Sequence, residues 1–319
     1  MRPTAAETTG ADKAPHPLMN RVRGACLLAC LSSSGCWLAL DLDGNEYTRA
    51  GGGAPGGAAA AGGAGGAGAA SQGGGGSDIH AGMVFVEHGE ADFYIDAMEV
   101  TNGAYAAWLN QSPPPVPAQI DDERCLFNGS FRPGALDTCS APDGFCQALE
   151  ESFDEVAATT PDRPVGCIDW CDALAYCQLN GKHLCGGPGG AKIDFNPTHP
   201  GPFATSISEW FVACGGEEAQ AYPYGDSLQP GVCNDDANGL GTVIEVATMP
   251  GCEGSVAGVF DLSGNAEEWV NACYLDVGAT TGCGRAGGAY YDDLPRCDHI
   301  RLFERSCHAN ATGFRCCAD

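Results

Sequence analysis

Apolar and polar positions change their period several times along this chain. Short apolar runs at Met83–Val86 and Phe93–Ile95 flank a polar stretch, His88–Asp92, and predict two short strands around a turn. Thr101 or Asn102 then caps a predicted helix to about Asn110, with Tyr105, Trp108 and Leu109 on one face. Residues 111–163 mix proline-rich and acidic stretches with three cysteines and predict a long, disulfide-pinned loop. Asp169 is a good N-cap for a helix over Cys171–Leu179; Asp172 suits its positive end and Gly181 stops it. A further helix is expected over about Ser206–Ala213, anchored by Trp210 and Phe211. From Cys214 onward turns recur every few residues among short β pieces. Within that region Gly258–Tyr274 reads as an apolar strand entry (Val259, Phe260), a tight polar loop and an aromatic anchor, Trp269.

Upstream of residue 81 no such period exists. Of the 47 glycines, fourteen fall in Gly51–Ser77, a Gly/Ala run with almost nothing to bury. Residues 37–80 are read as a flexible tether with a reach on the order of 30 Å. Arg21 and Arg23 precede Ala25–Cys36, a short positive region followed by a short apolar one, so residues 1–36 read as an export signal starting at Met1 or Met19. Ala25–Leu31 is too short to span a bilayer. Cys36, after SSSG, is the candidate lipidated residue. Cys30, after Leu27-Leu28-Ala29, fits the lipoprotein pattern better but leaves almost no apolar segment, and an ordinary secretory signal is the alternative. A lipid on Cys36 would hold the domain near a membrane without inserting it. Residues 81–319, about 240 in all, suffice for one domain with a sizeable core.

Sixteen of the nineteen cysteines lie between Cys125 and Cys317, an even number in a lysine-poor domain without zinc-finger spacing. That pattern points to a disulfide framework formed in an oxidising, extracytoplasmic compartment, a bacterial cell envelope or the medium. The net charge of −26 argues against nucleic acid and anionic membrane surfaces as partners. The expected form is a monomer whose membrane contact runs only through a lipid.

The loop after Phe260 places Asp261, Gly264, Asn265 and Glu268 within eight residues. Carboxylates beside a glycine turn that exposes backbone carbonyls make a hard-cation layout. An acidic surface turn is the plainer alternative.

An ordered series of segments surrounds this loop: EVTN (Glu99–Asn102), WCDALAYC (Trp170–Cys177), YPYGD (Tyr222–Asp226), DLSGNAEEW (Asp261–Trp269), RAGG (Arg285–Gly288) and GFR (Gly313–Arg315). Over roughly residues 82–319 this series resembles the formylglycine-generating enzyme family, the sulfatase-modifying factors. The resemblance implies an irregular α+β, C-type-lectin-like fold. It also implies a structural Ca²⁺ held by side-chain oxygens of Asp261 and Glu268 and backbone oxygens of Gly264 and Ala266. A second calcium site would use Asn234.

The family's active members bind Cu(I) through two cysteines five residues apart, and use O₂ to oxidise a cysteine of a polypeptide substrate. Counted from Gly287-Gly288, the second of these is Cys297, the candidate catalytic residue, but the first is Asp292, and the family's serine is Ala289. A carboxylate is a poor Cu(I) ligand, so the dyad reads as incomplete unless Cys307 or another thiol moves in, and Cys297 reads better as half of a disulfide. Arg285, Arg301 and Arg315 line the same region or fix its loops through carbonyl bonds. The seven histidines are scattered, which speaks against the iron site of the family's sulfoxide-synthase relatives; His183 stands where the family has arginine and reads as packing. Loop proximity points to the pairs Cys185–Cys214, Cys233–Cys252 and Cys273–Cys283, with Cys316 and Cys317 going to separate partners. Two functions follow: a copper oxidase acting on a protein cysteine, or a non-catalytic, calcium-stabilised module that binds a polypeptide or glycan at the cell surface.

Overall fold

In the computed structural model, which describes residues 79–89, 91–134, 144–194, 207–274 and 281–319, the two N-terminal apolar runs pair antiparallel as β1 (Met83–Val86) and β2 (Phe93–Asp96). The candidate lipid site Cys36 and the Gly/Ala tether lie outside the described residues. Helix α1 (Asn102–Leu109) starts where Thr101 accepts a hydrogen bond from the Ala104 amide. Helix α3 (Trp170–Leu179) carries a full capping box: Asp169 accepts from the Asp172 amide at 2.8 Å and Asp172 accepts from the Asp169 amide at 3.2 Å. Helix α4 spans Glu209–Gly215 with Ser208 as its cap, slightly later than expected.

Residues 111–163 are not one long loop. They contain α2 (Gly144–Thr159), a helix of 16 residues. Its buried positions are Cys146, Leu149, Phe153 and Ala157, a helical stripe that packs beside α1. The proline and acid content masked that stripe in the sequence.

The strands form two sheets. In the first the order is β1, β2, β9 (Cys316–Ala318) and β3 (His183–Leu184), so the last strand of the chain is inserted between early ones. The second runs β4 (Ile193–Asp194), β5 (Glu267–Cys273), β6 (Gly282–Ala286) and β7 (Ile300–Glu304), with β8 (Thr312–Phe314) also paired to β5. The strand expected before the Asp261 loop lies after it instead. Phe260 makes only an isolated bridge to Glu253, whereas every residue of β5 is buried. Successive side chains of a strand face opposite ways. Trp269 therefore joins one core, with Tyr105, Trp170 and Phe314, while Val270 joins another with Ile95, Trp210 and Leu262.

The same alternation separates the adjacent cysteines of β9. Cys316 bonds Cys177 of α3 in the first core, and Cys317 bonds Cys185 in the second. The expected pairs Cys233–Cys252 and Cys273–Cys283 are present. The expected pair Cys185–Cys214 is not, because β9 brings Cys317 to Cys185 and leaves Cys214 to Cys297. With Cys125–Cys171 and Cys146–Cys167, seven disulfides join cysteines of the described residues. The fold is a disulfide-rich α+β arrangement. Among the described residues no helix is long and apolar enough to cross a membrane.

Candidate functional site

The polar loop between Asp261 and β5 turns through three left-handed residues, Asp261 (φ 61°), Gly264 (φ 81°) and Asn265 (φ 56°). Asp and Asn tolerate that conformation, but position 264 requires glycine for a second reason. A Cβ there would run into the carbonyl of Asn234. The structure thus brings Asn234, expected at a separate site, against this loop. The Asn265 amide donates to Asn234 O at 2.8 Å, and Asn234 Nδ2 donates to Asn265 Oδ1 at 3.0 Å. Asn265 Nδ2 in turn donates to Glu99 Oε1 at 2.9 Å. Asn265 is the hub of the site, and Glu99 is a buried member that sequence reasoning saw only as part of the EVTN motif.

Glu268 is fully engaged. Its Oε1 accepts from Arg315 Nη2 at 2.7 Å, and its Oε2 from Arg315 Nε at 2.8 Å and Trp210 Nε1 at 2.9 Å. Both partners of the ion pair are buried. A cation meeting Glu268 in this arrangement must displace one of those donors, so Glu268 fits the expected ligand set poorly. Other oxygens fit it better. Asn234 Oδ1 and Glu99 Oε2 are buried and have no hydrogen-bond partner among the described residues. Burial pushes the Asp261 carboxyl up to about 6, against the pull of the Ala247 amide and Arg315. Burial, and then the charge of Asp261, push Glu99 well above the ordinary carboxylate range. Three carboxylates thus face one guanidinium, a deficit of positive charge that protons or a cation must make up.

The copper dyad positions lie elsewhere, in the segment that joins β6 to β7. Cys297 is fully buried and bonded to Cys214. Cys297, the candidate catalytic residue that read better as half of a disulfide, is so paired and in this state offers no thiolate. Cys307 is disulfide-bonded too, as are all the cysteines of the described residues. Asp292 is tied down in its own right. Its carboxylate accepts from the Ala289 amide at 2.7 Å and from Arg301 at 2.9 and 3.2 Å. Arg301 also donates to Glu267 at 2.8 Å, and Glu267 accepts from Arg285 and from Thr312, each at 3.0 Å. Arg285 lies 4.1 Å from the ring centres of both Trp269 and Phe303 and donates to the Cys307 carbonyl at 2.7 Å. Asp292, Arg301, Glu267 and Arg285 form one alternating charge chain where the resemblance implies a metal.

A third cluster was legible only in part. Asp169, Asp172 and His308 place three possible ligand atoms within 4.8 Å of one another, all buried. In the sequence Asp169 reads as a helix cap, Asp172 as an acid at the helix's positive end, and His308 as one of the scattered histidines. Asp172 accepts from Asn128 Nδ2 at 2.8 Å and from the Asp169 amide, and lies 4.0 Å from His308 Nε2. Burial, then the Asp169 charge, push its carboxyl well up. His183, expected to pack, bonds both oxygens of Glu209 at 3.1 Å.

Comparison with known proteins agrees with the motif series. A bovine formylglycine-generating enzyme is 26% identical over 268 residues, which cover 71% of this chain and 66% of the bovine protein, just under two thirds of its length. The formylglycine-generating enzyme of Thermomonospora curvata is 25% identical over 269 residues, 71% of this chain and 82% of its own. A bovine protein named inactive C-alpha-formylglycine-generating enzyme 2 is 33% identical over 122 residues, 35% of this chain and 33% of its own. The family model for the sulfatase-modifying factor enzyme 1-like domain matches residues 58–319, and with most of its length so matched this chain belongs to the formylglycine-generating enzyme (sulfatase-modifying factor) family.

Proposed function

We propose that this chain is a non-catalytic binding module built on the formylglycine-generating enzyme fold, and that its ligand is a polypeptide. The observation that carries the reading is the state of the two dyad positions. Cys297 is closed in a disulfide with Cys214, and the Asp292 carboxylate is saturated by Arg301 and the Ala289 amide. Cu(I) needs soft thiolates, and neither position offers one. The rival reading, copper- and O₂-dependent oxidation of a protein cysteine, requires at least one free thiol here. Thiol mapping of the oxidised chain by mass spectrometry, together with an O₂-dependent assay on a Cys-x-Pro-x-Arg peptide, decides between them. Complete pairing and no formylglycine support the module; formylglycine in the peptide overturns it.

Export and tethering through Cys36 belong to the same proposal. The seven disulfides support an oxidising location, and labelling with a radioactive fatty acid, lost in Cys36→Ala, tests the lipid.

Calcium is the proposed stabilising ion. It would be held by Asp261, the backbone carbonyls of Gly264 and Ala266, and Asn234, with Glu99 adding an oxygen and Glu268 left to Arg315. The support is the pair of buried, unpartnered oxygens on Asn234 and Glu99 beside a loop short of positive charge. An ion at a hundred times its Kd stabilises by about 2.7 kcal/mol. For a domain of this size that is a rise in Tm of about 5–10 °C over chelated protein. An unchanged Tm in excess chelator removes calcium from the account.

A further inference from the structure

Away from the Asp292 chain, two adjoining depressions meet at one arginine. The first, of ≈ 130 Å³, is walled by Phe145, Leu149 and Val156 of α2 and by Val243 and Tyr290. That is close to the roughly 150 Å³ that accepts a benzene ring, so it suits one apolar side chain. The second is shallower and is lined by Leu240, Ile244, Glu245 and Thr248. Arg163 lines both, and neither shares a residue with the chain of Asp292, Arg301, Glu267 and Arg285.

The Arg163 backbone is fixed: its amide donates to Thr160 O at 3.3 Å and its carbonyl accepts from the Asn102 amide at 2.9 Å. The residue is half-buried, and its guanidinium makes no hydrogen bond, ion pair or ring contact with a described residue. The other seven arginines of the described residues all do, from Arg124 on Asp122 to Arg315 on Glu268. In a chain with 41 acidic and 15 basic side chains, a cation left unpaired in an apolar cleft stands out. A guanidinium there matches a carboxylate in charge and in its two-pronged geometry. Apolar surface lies on both sides of it, with Phe145 60% and Leu240 51% exposed. Alternate residues of an extended chain face the same way about 7 Å apart, so one strand can present an acid to Arg163 and an apolar side chain to each depression. An acidic sugar would satisfy the arginine and leave both apolar walls wet.

We propose that this groove binds an extended peptide carrying a carboxylate between two apolar side chains, with Arg163 taking the carboxylate. The proposal deepens the binding-module reading and rests on it. The test is fluorescence polarisation of labelled Phe-Ala-Glu-Ala-Leu, capped at both ends, and of its Gln counterpart, against the full oxidised chain and its Arg163→Gln and Val243→Glu variants. Arg163 bonds to nothing described through its side chain, so Arg163→Gln should fold normally, and a matching Tm checks that. The expected result is Kd of about 0.1–1 mM for the Glu peptide. Binding should fall at least about tenfold for the Gln peptide, and as much for either variant with the Glu peptide. Equal binding of the two peptides, variants within twofold of the parent, or no saturable binding of the Glu peptide overturns the groove assignment. The broader reading fails on a different result, formylglycine formed in the Cys-x-Pro-x-Arg peptide, so the two failures are told apart.

Discussion

Arg285→Met tests whether the charge chain replacing the dyad holds the domain together. Arg285 is 2% exposed and its partner Glu267 is 1% exposed, so neither can turn to water when the other is removed. Stranding a buried carboxylate by deleting its partner costs about 3–5 kcal/mol. Two features adjust that figure. Glu267 keeps the bond from Thr312 and the one from Arg301, whose side chain is 32% exposed, which trims the loss. The variant also loses a cation held 4.1 Å from each of two ring centres, which adds about 0.5–2 kcal/mol, while Met refills most of the volume. The expected loss is about 3–4 kcal/mol, read from urea unfolding with the disulfides intact. Glu267→Gln on top of Arg285→Met removes the stranded charge and should recover at least about 1 kcal/mol. A loss under about 1 kcal/mol for Arg285→Met, or a double variant as unstable as the sum of the singles, would refute the claim that these charges depend on each other.

Gly264→Ala should lower Tm by several degrees. The left-handed turn alone costs about 1–2 kcal/mol for a residue with a Cβ, and here that Cβ also meets the Asn234 carbonyl. A Tm within a degree of the parent would mean that the loop is looser than described. Asp172→Asn should flatten the dependence of stability on pH. The folded Asp172 holds its proton more tightly than an unfolded aspartate, because of its burial and then the charge of Asp169. Its stabilising contribution is therefore complete below about pH 4 and is lost as pH rises through the raised folded value. Urea midpoints from pH 4 to 8 check this, and equal slopes for parent and variant would count against it. Leu149→Ala on α2 should cost about 2–5 kcal/mol, because Leu149 is a buried member of the first core. A loss below about 1 kcal/mol would place α2 outside the core.

Local features of this fold were legible, and features made by the topology were not. The α3 cap needs only Asp169 and Asp172, three residues apart, so its chemistry is complete within one turn of sequence. Disulfides between near neighbours, Cys273–Cys283 and Cys233–Cys252, close loops of 10 and 19 residues and follow from proximity. Cys214–Cys297 and Cys185–Cys317 span 83 and 132 residues, and the second depends on β9 entering between β2 and β3. Helix α2 carried a readable stripe, yet the prolines before it and the acids within it outweighed that signal. Glu267 looked like one more acid of a cation loop. Only the strand alternation of β5 shows that Glu267 and Glu268 face opposite ways, one to Arg285 and the other to Arg315.

The Cys214–Cys297 disulfide explains why a single substitution cannot restore copper binding. Asp292→Cys would put sulfur at the first dyad position, but Cys297 remains closed with Cys214, and a disulfide sulfur is not a thiolate. The new thiol would stand alone beside Arg301. Arg301 would keep Glu267 but lose the two bonds it now makes to Asp292. Opening the disulfide by Cys214→Ser as well would supply the second thiolate, at a cost of about 2–4 kcal/mol in chain entropy. The expected outcome is that Asp292→Cys gains one titratable thiol and no tight Cu(I) binding. The double variant should gain two thiols and bind one Cu(I), measured by competition with a chromophoric Cu(I) chelator. Tight binding by Asp292→Cys alone would mean that the Cys214–Cys297 bond opens readily, and the binding-module reading would lose the observation on which it stands.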